Sequence, residues 1–179
     1  MDDKMSKREK IIAIAVLFVI SFIVITILSN RDDKTFYDKN GYFRGIKWGC
    51  TYNELSLKIN DLTGHHLEKK GFYGIEYIDD FDYTGLKAEV EYGMEDNKLS
   101  SVSVKFDRFG EYGIDGLFNL MSDRLTKKYG NKIRNEEKWY DDCYITVDTW
   151  ILKNSTVKLV GGDKKNKNYI SIYFVSANN

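Results

Sequence analysis

The chain has 179 residues, 27 Lys+Arg against 27 Asp+Glu, 15% aromatics, two cysteines and no proline. That profile excludes a disordered chain, which lacks the aromatics for a core, and excludes collagen-like or disulfide-dense scaffolds. Balanced charge also removes the basic surface that generic nucleic-acid binding needs, so no nucleic-acid partner is expected.

The apolar residues are unevenly spread. Ile11 to Leu28 runs for 18 residues without a charge, interrupted only by Ser21 and Thr26. As a helix it covers roughly 27 Å, close to the ~30 Å hydrocarbon core. It is hydrophobic all round, so it reads as a transmembrane helix over 11–28 rather than a surface-lying helix. A cleavable signal peptide is the competing reading. It fits less well because the apolar run is too long and Ile27-Leu-Ser-Asn30 offers no small-x-small site. Lys4, Lys7, Arg8 and Lys10 precede the span and Arg31, Lys34 and Lys39 follow it, a slight bias to a cytoplasmic N-terminus. Residues 1–10 are then a cytoplasmic tail. The domain beyond the span is extracellular, on a single-pass anchor in the cell membrane.

Residues 29–40 are charged and poor in apolar side chains, a tether that fully extended reaches about 40 Å. The stretch 41–179 has the length of one domain. Thr51-Tyr-Asn-Glu54 is a capping-box pattern, and Leu55, Ile59 and Leu62 share one helical face before Gly64. Gly71 to Asp79 is aromatic and extended. Leu86, Ala88, Val90, Tyr92 and Met94 alternate with polar residues or Gly, as do Val102, Val104 and Phe106, with a turn at Glu95-Asp96-Asn97. The order then restarts. Ile114, Leu117, Phe118, Met121 and Leu125 have helical spacing up to Gly130. Strand signals follow at Trp139–Tyr140, Ile145–Lys153, Thr156–Val160 and Tyr169–Val175. Gly161-Gly162 reads as a turn and Lys164–Asn168 as a polar loop. The expected fold class is therefore α+β: two helix–antiparallel-meander repeats, about 43–107 and 111–176, with the helices on one face of the sheet.

Phe43-Arg-Gly-Ile-Lys-Trp-Gly49 before a capped helix, and Leu125-Thr-Lys-Lys-Tyr-Gly130 before a Trp-containing strand, resemble small bacterial envelope proteins. They are similar to the tandem helix-plus-meander architecture of the β-lactamase inhibitory protein and the SmpA/OmlA outer-membrane-assembly lipoproteins. The resemblance covers roughly residues 42–176. It departs from that pattern in having no lipidation cysteine, an apolar span standing in its place. It implies a non-enzymatic domain that binds a protein or envelope partner with its sheet face.

Several local patterns compete for chemistry. Asp80, Asp82 and Thr84, with Gly85 and Glu91, have the spacing of a calcium loop. The flanks read as strands where that loop needs helices, so an acidic turn is the simpler reading. His65 and His66 are adjacent and point apart, so they do not share a metal. Cys50 and Cys143 are a candidate disulfide, and no paired histidine marks either as a nucleophile. No phosphate loop, nucleophile elbow or dinucleotide fingerprint is present, and neither an enzyme nor a cofactor is expected. If the aliphatic faces of the strands pack on the helices, Trp150, Tyr169 and Tyr173 lie on the open sheet face as a partner-binding cluster. The expected function is a membrane-anchored extracytoplasmic interaction module. The alternatives are a metal-dependent or other envelope enzyme, and an immunity protein or inhibitor directed at a secreted toxin or enzyme.

Overall fold

The computed structural model describes residues 38, 40–63, 66–81, 84–106, 108–140, 143–164 and 167–177. The expected tail, membrane span and most of the tether lie outside these residues, as do Gly64, His65 and Asp82. Among the described residues no helix is long and apolar enough to cross a membrane.

Chain order gives helix α1 (Tyr52–Thr63), then strands β1 (Glu68–Lys70), β2 (Tyr73–Ile78), β3 (Ala88–Glu95) and β4 (Lys98–Phe106). A short 3-10 turn leads into helix α2 (Gly113–Tyr129), followed by β5 (Arg134–Tyr140), β6 (Cys143–Ile151), β7 (Ser155–Lys164) and β8 (Lys167–Ser176). The eight strands form one antiparallel sheet in the order β1-β2-β3-β4-β8-β7-β6-β5. Each helix-plus-four-strand run is thus a meander, and the two meanders meet edge to edge through their last strands.

Local chemistry explains the boundaries. The Thr51 amide and hydroxyl both donate to Glu54 Oε2 (2.8 and 2.9 Å), and the Glu54 amide reaches back toward Thr51 Oγ1 at 3.4 Å, which starts α1. Leu55 and Ile59 then bury, but Leu62, expected on their face, is exposed. Helix α2 buries Leu117, Met121 and Leu125 and stops at Gly130, whose amide donates to the Thr126 carbonyl at 2.9 Å. Glu95 pairs with Lys98 across Asp96 and Asn97, both at positive φ, a two-residue hairpin turn whose twist suits the strands.

Three rows of side chains cross the helix-facing side of the sheet. The middle row reads Glu76, Val90, Val104, Ile172, Leu159, Asp148 and Asn135 from β2 to β5. Val90, Val104, Ile172 and Leu159 join Leu55 and Ile59 of α1 and Leu117, Met121 and Leu125 of α2 in one core. Residues 40–50 lie against this side as well. Asn154 donates to the Asn40 carbonyl, Ser155 Oγ to the Gly41 carbonyl, and Trp48 Nε1 to Ser155 Oγ at 3.0 Å. Phe43 sets its ring against Phe174 (5.3 Å) and Tyr92 (6.1 Å). Arg44 grips Glu76 through both carboxylate oxygens at 2.8–2.9 Å. This segment therefore ties the β6–β7 turn of one meander to β2 and β3 of the other.

Other expectations need correction. Gly161-Gly162 lies inside β7, with Gly161 paired to Thr146 and Ile170. Glycine serves there because a ring occupies each side. A Cβ on Gly161 would meet Phe118 at 2.7 Å, and one on Gly162 would meet Tyr169 at 2.5 Å. Strand β5 begins five residues before the expected Trp139, and β1 is an additional short strand. Finally, Cys50 and Cys143 are both free thiols. The Cys50 carbonyl accepts from Leu99 at the start of β4, whereas Cys143 opens β6, eight residues from its far end. The two therefore sit at opposite ends of the sheet, on the order of 25 Å apart along the strands.

Candidate functional site

The face of the sheet turned away from the helices is the candidate site. Its middle row carries Ile75, Glu91, Ser103, Tyr173, Lys158, Thr149 and Arg134. The next row carries Tyr77, Glu89, Lys105, Ser171, Val160, Val147 and Glu136, and Tyr169, Gly162, Ile145 and Lys138 lie beyond it. Tyr73 and Tyr77 are exposed at the β2 wing.

Two of the three expected aromatics are on this face. Tyr169 and Tyr173 lie on one side of β8, partly exposed, four residues and so roughly 13 Å apart. Tyr169 lays its ring across Gly162 and its hydroxyl interacts with the Cys143 thiol. Burial, then the neighbouring Cys143 and Tyr173, push the Tyr169 phenol up, so it stays protonated and donating.

Trp150 is not on this face. It is 1% exposed, sits in the core and donates its indole N–H to the Gly130 carbonyl at 3.0 Å. Strand β6 inverts the usual pattern. Its aliphatic side, Ile145, Val147 and Ile151, faces outward, and its inward side carries Thr146, Asp148 and Trp150. The inversion is stable because the inward carboxylate is fully partnered. Ser122 Oγ (2.6 Å), Lys132 Nζ (2.8 Å) and Asn135 Nδ2 (2.7 Å) all donate to Asp148.

Strands β3 and β4 supply the polar part of the open face. Lys105 Nζ lies 2.5 Å from Glu91 Oε2 and 4.0 Å from Glu89 Oε1, and Ser103 donates to Glu91 at 3.3 Å. Burial opposes ionisation of Glu91, but the hydrogen bonds and charge of Lys105 and the Ser103 hydroxyl outweigh it and hold the carboxyl below its ordinary value. Burial likewise opposes the Lys105 charge, and Glu91 and Glu89 override it and raise the ammonium. The pair is closed on itself rather than poised to move a proton.

Other expected sites do not assemble. Asp80 Oδ1 accepts from the Gly85 amide at 2.6 Å, and buried Thr84 donates to the Phe81 carbonyl, so both close a turn. Glu91 belongs to the open face, bonded to Lys105, and Asp82 lies outside the described residues. His66 is exposed, and His65 lies outside. Among the described residues no group of three or more His, Cys, Asp or Glu is placed to hold a metal ion. Burial is the main cause that raises the Cys50 thiol, which disfavours the nucleophilic thiolate. What the face offers is area and hydrogen bonds: tyrosines at the β2 wing and on β8, aliphatics on β6 and β7, and an ionic patch between. Comparison with known proteins finds no match among protein-family models, curated proteins or solved structures.

Proposed function

We propose that this chain is an interaction module anchored in the cell membrane through residues 11–28, with its α+β domain outside the cell and no catalytic role. The partner is a protein that docks on the open sheet face. The observation that carries the reading is the outward placement of Tyr169 and Tyr173 beside Ile145, Val147 and Val160. Tyrosines give large, rigid contact area at low entropic cost and keep a hydroxyl for a partner's backbone. The resemblance to tandem helix-plus-meander envelope proteins supports the same use of the sheet. The long uncharged apolar run supports the anchor.

Lys158 is exposed on this face, paired across from Tyr173, and supplies the test. A membrane-impermeant amine crosslinker applied to intact expressing cells should join Lys158 to one protein partner. Tyr169→Ala/Tyr173→Ala should abolish the adduct while lowering the melting temperature by only a few degrees. Lysines reached only after lysis would refute the topology. An adduct indifferent to Lys158→Arg and to both tyrosines would refute the face.

A further inference from the structure

The helix side of the sheet is not wholly filled. Between the first half of α2 and strands β5–β7 lies a groove of about 580 Å³. Phe118 forms its inner wall, and Trp139 and Tyr144, directly paired on β5 and β6, form its outer end. Their rings lie 4.8 Å apart at 47°. Asp115 from the helix, Glu137 from β5 and Asp163 from β7 add three carboxylates. Glu137 lies close enough to the Tyr144 hydroxyl to raise that phenol, which puts its carboxylate beside the rings. Lys132 is the cation at the inner end, and its ammonium is already engaged with Asp148 at 2.8 Å.

The ordinary account of charges on an edge strand is protection against strand pairing. It covers Arg134, Glu136 and Lys138, which pair with one another on the opposite face. It does not cover Trp139, which is 76% exposed on the same edge strand. An indole left in water beside a second ring and three carboxylates has the composition of a cation site: aromatic faces attract a cation electrostatically, and the carboxylates supply net negative charge. Asp115, Glu137 and Trp139 all remain exposed, so the groove is open along its length. Small ligands are held in sites that bury most of their surface. An open groove spanning several strand residues instead suits side chains projecting from an extended segment.

We propose that this groove docks a basic peptide segment of a partner protein, with an arginine or lysine head group held over Trp139 and Tyr144 and a second against Asp115. The site is independent of the open sheet face, so either assignment can fail alone.

The test uses the full-length chain in a neutral detergent and an acetylated, amidated octapeptide alternating Arg and Gly, followed by titration calorimetry. Binding should weaken about tenfold with Trp139→Ala. It should weaken at least about tenfold with Asp115→Asn/Glu137→Gln, which should also reduce its salt dependence. Asp79→Asn, at the far edge of the sheet, should leave binding unchanged. Circular dichroism melts of all variants should match the parent, since every altered side chain is exposed. Absence of binding at millimolar peptide and low salt would overturn the proposal. So would equal loss in Asp79→Asn, which marks diffuse charge attraction, or tighter binding of spermidine than of the peptide, which marks a small-polyamine site.

Discussion

Asp148 offers the sharpest energetic test, because its partners differ in their access to water. The carboxylate is 0% exposed and accepts from Ser122, Lys132 and Asn135, while the Lys132 side chain is 37% exposed. Lys132→Met removes the cation but keeps the length of the stem. The carboxylate then retains two neutral donors and has no route to solvent. Breaking a buried pair this way costs about 3–5 kcal/mol, and the partial exposure of Lys132 places the expected loss near the lower end, about 3 kcal/mol. Asp148→Ala is the milder change. Lys132 and Asn135 turn to water, leaving mainly the buried Ser122 hydroxyl without its acceptor, a loss of about 1–3 kcal/mol. Lys132→Met/Asp148→Asn removes both charges and keeps an acceptor for Ser122, so the deficit should shrink to about 1 kcal/mol. Urea unfolding of the four proteins gives the ranking directly. In thermal melts Lys132→Met should lower the midpoint by about 10 °C for a domain of this size. A larger loss in Asp148→Ala than in Lys132→Met, or a double variant no more stable than Lys132→Met, would refute a buried, unpaired charge as the cause.

Two further predictions concern the core and the ionic patch. Trp150→Ala removes a 1%-exposed indole bonded to Gly130, so it should cost about 3–5 kcal/mol in urea unfolding, whereas Tyr173→Ala should cost under about 1 kcal/mol. The Glu91 carboxyl is held below its ordinary 4.5 in the fold, so its contribution is present above that pH and lost as pH falls through the folded value. Lys105, raised above its ordinary 10.5, contributes fully below that pH and loses its share as pH rises through the folded value. Glu91→Gln should therefore flatten the acid limb of a stability–pH profile, and Lys105→Met the alkaline limb. Unchanged limbs would show that the patch holds no differential free energy.

Much of the fold was legible because local signals and packing agree. The Thr51–Glu54 box, the Leu117–Met121–Leu125 stripe and the alternation of β3 and β4 each state in sequence what they do in the structure. The missed elements lack that agreement. Strand β1 is Glu-Lys-Lys, wholly exposed, and is held by pairing with β2 and by Lys69 over the Tyr52 ring. The start of β5 is Arg-Asn-Glu-Glu-Lys, where no apolar period exists to read. Gly161-Gly162 carries the ordinary signature of a turn, and only the rings of Phe118 and Tyr169, distant in sequence, make it a strand. The sequence places Trp150 on the wrong face because Asp148 and Thr146 make the inward side of β6 look like the wet one. The donors that satisfy Asp148 come from α2, the following loop and β5, and no period within β6 reveals them.

The same carboxylate bears on why the open face has the composition it does. Glu76 and Asp148 occupy one row of the sheet, on β2 and β6, each two strands from the β4–β8 seam. Each is buried, and each takes a cation from outside the sheet: Arg44 from the segment before α1, Lys132 from the loop after α2. Well-packed apolar residues could match such pairs in stability, and the best-attested use of a buried pair is to fix register. Side chains alternate with period two, so a one-residue slip of β6 would turn Asp148 away from Lys132 and Ser122 while offering Ile145, Val147 and Ile151 to the core. Hydrophobicity alone favours that slip on one strand. The buried pair opposes it and keeps those aliphatics outward, beside Tyr169 and Tyr173. In the observed register the polar contact on one side of the sheet and the aliphatics on the other go together.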